Sequence, residues 1–171
     1  MTLSLLAFLN IVLFMLHEFE EIIRVCPWID KKGDDPKFAK EMFIAGKAHY
    51  LSSETLAALI LEEFFLASLL LFAGIVLRLP ELVLAITLDH TLHLFAHIAQ
   101  AVAFRTWVPG SITAVLTMPV ILMTIAVFIF SQSLNWTLLF LLTISIFAAL
   151  LLNLRFLHSQ AANVEQWLRS G

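Results

Sequence analysis

The chain has 171 residues, 61% of them hydrophobic and 13% charged, with a mean hydropathy of +0.95 and a net charge of −3. Soluble domains carry about a quarter charged residues, so this composition excludes an ordinary soluble domain, and the acidic balance excludes a basic nucleic-acid binder. A lone cysteine, Cys26, rules out a disulfide framework and a CxxC zinc site, and five glycines with five prolines rule out low-complexity or collagen-like chains. What remains is a small all-α membrane protein, a polytopic bundle of about five transmembrane helices forming one domain over residues 1–171.

A bilayer-crossing helix needs about 20 mostly apolar residues. The first such stretch covers about 3–25 and is expected to close at Pro27 and the polar run from Asp30 to Pro36. It lacks the basic leader of a signal peptide and its apolar part is too long for one. The segment 37–50 is too short and too charged to cross. With Phe38, Met42, Phe43 and Tyr50 set among lysines, it predicts an interfacial amphipathic helix. The second span covers about 54–77, with Ser52 and Ser53 as capping candidates. After Arg78-Leu-Pro80, the third span covers about 81–104. Pro109-Gly110 breaks the chain before the fourth, 111–131, in which Pro119 predicts a kink. The turn Gln132–Asn135 leads to the fifth, 136–157, and the tail from His158 reads as a mildly amphipathic end. Trp28, Trp107 and Trp136 stand at span ends, as interface anchors do.

The basic residues test this map. Lys31, Lys32, Lys37, Lys40 and Lys47, with Arg24, adjoin the first connection; Arg105 lies in the third, and Arg155 and Arg169 lie at or beyond the end of the fifth span. With five spans all nine fall on one side and only Arg78 on the other. The positive-inside rule then predicts the N-terminus outside and the C-terminus in the cytoplasm of a bacterial-type membrane.

Ionisable groups at bilayer depth are costly and tend to mark function. On the first span Asn10, His17, Glu20, Glu21 and Arg24 share one stripe roughly 100° wide, with Glu18 beside it; on the third, Asp89, His90, His93, His97 and Gln100 form another. On the second span Glu62 and Glu63 are adjacent; Glu63 aligns with Ser52, Ala67 and Gly74 and is preferred, slightly, as the inward one. At about 1.5 Å per residue, His17, Glu63 and His97 lie about 12, 13 and 10 Å from the cytoplasmic end. Three helices thus bring polar groups to one level.

His and carboxylate spaced three or four apart on a helix can share a metal, and helix bundles build two-metal carboxylate sites this way. The expected ligand pool is His17, Glu20, Glu21, Glu63, His90, His93 and His97, for one or two divalent ions among Fe, Zn and Mn; the absence of clustered thiolates argues against Cu(I) and iron–sulfur clusters. Glu20 and Arg24 are the catalytic candidates, Glu20 or Glu21 as general base, with Arg24 and Asp89 orienting ligands. The bland alternatives are snorkelling or paired charges near the interface for Glu20, Glu21 and Arg24, and helix–helix hydrogen bonds for single histidines. His49 and His158 fall outside the stripes and read as surface residues, and Cys26 as a passive interfacial thiol.

His17-Glu-Phe-Glu20-Glu21, late in a first apolar span, resembles the signature of the HXXEE family of small membrane proteins. Trp107-Val-Pro109-Gly110 resembles its Tyr-x-Pro-Gly element, with Trp107 in the tyrosine's place. The resemblance runs from the first span to the start of the fourth. It implies motif roles for His17, Glu20 and Glu21 and assigns no reaction. A likeness to Glu-Glu-x-x-x-Arg intramembrane proteases fails because Arg24 comes one residue early.

Three function classes follow. The first is a metal-dependent enzyme, an oxidoreductase or a hydrolase, acting on a lipid or other hydrophobic substrate at the cytoplasmic side, with two metals preferred slightly over a mononuclear zinc hydrolase. The second is a metal or proton transporter, disfavoured because the polar groups cluster in one half of the bilayer. The third is a structural membrane subunit. Expected partners are membrane lipids and the substrate, with no nucleic acid.

Overall fold

A computed structural model describes residues 1–170. The described chain forms α1 (Leu3–Lys32), α2 (Met42–Ala45), α3 (Ser53–Val76), α4 (Pro80–Phe104), α5 (Ser111–Ser131) and α6 (Trp136–Ser170), with 3-10 turns at Pro36–Phe38 and Lys47–His49 and no strand among the described residues. All but α2 are long and apolar enough to cross a membrane.

Local chemistry sets the ends. Thr2 and Ser52 accept hydrogen bonds from the amides of Leu5 and Thr55, capping α1 and α3. Pro80 opens α4, where its missing N–H costs nothing. Arg105, in the left-handed region at φ 52°, ends α4, and Gly110 at φ 79° precedes α5.

The bundle is arranged around α4, which packs against α1, α3, α5 and α6. Half of its most apolar stretch is buried, against 6% for α6, so α4 is the axis and α6 the periphery. Leu6 and Leu13 of α1, Leu84 and Leu94 of α4, and Ile121 and Phe128 of α5 belong to one core. The outer surface carries exposed Phe8, Phe65, Phe72, Phe95 and Phe130. An exterior this apolar matches hydrocarbon as solvent.

Three expectations drawn from local signals change. First, α1 does not stop at Pro27 but continues to Lys32. A proline removes one helical hydrogen bond, while Trp28 and Ile29 beyond it pack on the cluster of Val25, Phe43, Leu56 and Ile60. Second, residues 37–50 do not form one amphipathic helix; they fold into the short α2 between two 3-10 turns. Glu41 is the cause, because its buried carboxylate caps α2 by accepting from the Ile44 amide and also accepts from Trp28 Nε1. Phe38, Phe43 and Ile44 are buried against the protein instead of facing outward. Third, the tail is the end of α6 itself. Leu157 and Ala161 pack on Leu59 of α3. His158 stacks on His49 with ring centroids 5.0 Å apart.

Glu165 ties that tail to the start of α3: it accepts from the hydroxyls of Ser52, at 2.6 Å, and Thr55, and pairs with Arg169. Glu165→Ala is expected to raise amide hydrogen exchange across residues 158–170 and leave α4 unchanged. Equal protection in both proteins would show that apolar packing alone holds the tail.

Candidate metal centre

His17 and Glu21 are one turn apart on α1, and His93 and His97 one turn apart on α4, so each pair shares a helix face. The fold turns the two faces toward each other. Each of the four offers a nitrogen or oxygen atom, and these atoms all lie within 4.8 Å of one another. Glu21 Oε1 is 2.9 Å from His97 Nε2, 3.3 Å from His17 Nε2 and 3.9 Å from His93 Nε2; the Nε2 atoms of His17 and His93 are 3.1 Å apart. His17, Glu21 and His97 are buried.

The far side of each buried imidazole is tied down. His97 Nδ1 lies 3.1 Å from the carbonyl of Pro109. A carbonyl only accepts, so Nδ1 carries a proton, and Nε2 is the nitrogen directed at Glu21. His17 Nδ1 lies 3.1 Å from Thr113 Oγ1. That hydroxyl is 2.7 Å from Glu20 Oε2 and 3.1 Å from the Gly110 carbonyl. Both are acceptors, so Thr113 gives its proton away and accepts from His17 Nδ1–H. His17 Nε2 is therefore the nitrogen directed at Glu21 and His93. His97 Nε2 and Glu21 Oε1 meet at 2.9 Å and find no other partner among the described residues. With the imidazoles neutral, lone pairs and a carboxylate facing one another repel, and a cation between them, a proton or a metal ion, reverses the sign.

The donor set fits such a cation. Ligands about 2.0–2.1 Å from a tetrahedral ion lie about 3.3 Å from one another, close to the shorter separations here. Three imidazoles and one carboxylate suit Zn²⁺, Fe²⁺ or Mn²⁺.

Gly110 makes the convergence possible. A Cβ there would stand 2.7 Å from His97 Nδ1, 2.9 Å from Glu21 Oε1 and 2.9 Å from His17 Cε1. The loop backbone thus lies directly on the cluster. Phe43 stacks on His97 from another side, with centroids 6.0 Å apart.

The other expected site residues lie elsewhere. Both oxygens of Glu20 are engaged, Oε1 by Arg24 at 2.6 Å and Oε2 by the amide and hydroxyl of Thr113, so Glu20 and Arg24 brace the first turn of α5. His90 donates from Nδ1 to Asn10 Oδ1 at 2.9 Å, leaving Nε2 buried without a partner, outside the group of four. Both Asp89 oxygens are buried with no partner among the described residues. Glu62 turns outward to Asn153, whereas Glu63 lines a cavity of about 70 Å³ that also touches Glu21 and His93. At about 30 Å³ per water, that is room for a small polar group.

Sequence periodicity missed several participants. Glu18 lies off the stripe, yet it is buried and approaches His93 Nε2 to 3.9 Å. Tyr50 borders the same cavity. Burial, reinforced by Glu21, Glu41 and Glu63, pushes its phenol well above the ordinary range, so it stays a neutral donor. Thr113 carried one signal, its place three residues after Gly110 at a helix start.

The family model described as "Protein of unknown function with HXXEE motif" matches residues 8–126, and the chain belongs to that family. Among curated proteins and among solved structures nothing matches the chain. The matched segment contains all four converging residues and the loop that fixes them.

Gly110→Ala is expected to destabilise the protein by roughly 1–2 kcal/mol through the left-handed backbone alone, with a further cost from displacing the cluster. A lowered melting temperature in detergent would register it; an unchanged one would show that the loop can withdraw.

Proposed function

We propose that this member of the HXXEE family is an integral membrane metalloprotein that holds one divalent ion, Zn²⁺, Fe²⁺ or Mn²⁺, on His17, Glu21, His93 and His97. It acts as an enzyme on a lipid or other hydrophobic substrate at the cytoplasmic side. The observation that carries the reading is the convergence: Pro109 and Thr113 hold Nδ1 of His97 and His17, so the Nε2 atoms of both are directed at Glu21 beside His93. Four convergent ligands support one ion, since Glu20 and His90 are hydrogen-bonded elsewhere.

When bound, such an ion supplies Lewis-acid polarisation and acidifies a coordinated water. The chain's own groups do the rest. Glu18, with no hydrogen bond among the described residues, is the carboxylate beside the cluster that is free to take a proton. Tyr50 lines the cavity with a neutral phenol able to donate, and Leu56, Leu59 and Leu157 give it an apolar wall. That wall suits a substrate drawn from the bilayer.

Elemental analysis of the full chain purified from membranes is expected to find about one Zn, Fe or Mn per protein. His93→Ala and Glu21→Gln are each expected to lower metal affinity at least about tenfold. Wild-type protein that carries almost no metal, and takes up none on reconstitution, would overturn the reading. The cytoplasmic setting rests on nine of ten basic residues falling on one side of a five-span map. It predicts a fluorescent C-terminal green fluorescent protein fusion and an inactive C-terminal alkaline phosphatase fusion; the opposite pattern would place the site on the outer side.

A further inference from the structure

A larger cavity, about 320 Å³, lies on the outside of the bundle where α4 ends and α5 begins. That volume is at the lower end of the range for ligand pockets, about 300–1,000 Å³. Ile98, Ala101 and Val102 of α4 and Val115 of α5 form an apolar trough, and Arg105, Thr106 and Trp107 complete the lining past the end of α4. None of the four residues of the metal centre lines it.

The polar groups of this lining are of one kind. A guanidinium only donates and is always charged, an indole N–H only donates, and a hydroxyl can donate. The backbone amides of Arg105 and Thr106 are spent on closing α4, whereas the side chains of Arg105, Thr106 and Trp107 make no hydrogen bond among the described residues. The described arginine ion pairs join Arg24 to Glu20 and Arg169 to Glu165, and Arg105 enters neither. No Asp or Glu lines the cavity. Free donors and a permanent positive charge at the end of an apolar trough suit an anion carried on a hydrocarbon chain. Phosphate fits best, because a guanidinium can grip it with two parallel hydrogen bonds. Nothing acidic in the lining answers a choline or an ethanolamine, so the match is to a lipid of net negative charge.

The position agrees. Val102 is 72% exposed, so the trough opens sideways to hydrocarbon, and Trp107 is exposed as an indole at head-group level would be. On the five-span map Arg105 falls on the cytoplasmic side, where the leaflet carries anionic lipids that attract basic residues.

We propose that this cavity binds one anionic phospholipid, its phosphate held by Arg105, Thr106 and Trp107 and one acyl chain lying in the trough of Ile98, Ala101, Val102 and Val115. The proposal stands apart from the metalloenzyme reading. The loop that bears Thr106 and Trp107 runs on to Pro109 and Gly110, which touch the centre, so the lipid is anchored beside one wall of that site.

The test places the full-length protein in phosphatidylcholine nanodiscs with a minor share of phosphatidylglycerol, then counts retained lipid by native mass spectrometry after gentle detergent release. Wild type is expected to keep one phosphatidylglycerol per chain, preferred over phosphatidylcholine at least about tenfold. Arg105→Gln is expected to cut that retention about tenfold. Ala101→Phe and Val115→Phe keep every charge but fill the trough, and each is expected to cut it by about as much. Lys47→Gln removes an equal charge from the same side, and is expected to change retention less than about twofold. Equal retention of the two lipids would overturn the proposal. So would equal losses in Arg105→Gln and Lys47→Gln, which mean general surface attraction, or wild-type retention in a folded phenylalanine variant, which means that no chain lies in the trough. Excess soluble glycerol phosphate is expected to leave the lipid in place; displacement would make this a site for free phosphate and not for lipid.

Discussion

Three helices meet at Gly110, and the geometry of the centre depends on that contact. Because residue 110 has no side chain and adopts φ 79°, the backbone entering α5 lies against His17, Glu21 and His97 at distances no Cβ would tolerate. The same approach brings the Pro109 carbonyl to His97 Nδ1 and, one turn on, the Thr113 hydroxyl to His17 Nδ1. One short stretch of chain therefore assigns the protons of two imidazoles from two different helices. Glu20 holds that stretch from below, capping the amide of Thr113, and Arg24 neutralises the cap. A carboxylate at a helix N-terminus is favourably placed against the helix dipole, so the brace also stabilises α5.

The rest of the bundle serves this arrangement. α4 lies at the axis and presents His93 and His97 to α1, while α5 closes one side and α3 the other. The connection between α1 and α3 is folded inward by the buried Glu41, and this sets Phe43 against His97 and Tyr50 against the cavity. α6, the least buried of the long helices, is tied to α3 through Glu165 and contributes Leu154, Leu157 and His158 to the cavity's outer side. Polar groups thus collect toward the interior while the exterior stays apolar, as a hydrocarbon solvent requires.

Much of this was legible in the sequence where the information is local. Helical periodicity is enough to put His17 with Glu21, and His93 with His97, on common faces. It is also enough to place the five long helices, since twenty apolar residues have few other uses. Adjacent acids were harder. Glu20 and Glu21 both fit one broad stripe, but 100° of rotation sends Glu21 to the histidines and Glu20 to Thr113 and Arg24. His90 fits the α4 stripe equally well and is turned instead to Asn10. Glu18 fell outside the α1 stripe, yet α4 approaches from an angle that brings it to His93. Pro27 and the end of the apolar run at Leu157 marked local weakness, and in both cases packing against α3 and its neighbours carried the helix further.

The sequence by itself determined that this is a chain of five long apolar helices carrying the HXXEE signature, with histidines and carboxylates spaced to share helix faces. Tertiary structure alone decided which of those carboxylates meets the histidines, which imidazole nitrogen faces it, and that a glycine's bare backbone is one wall of the centre. The physical reason is one of dimension. Periodicity orders side chains around a single helix axis, whereas ligand convergence and tautomer choice depend on the rotation of each helix and on where its neighbours place their carbonyls and hydroxyls.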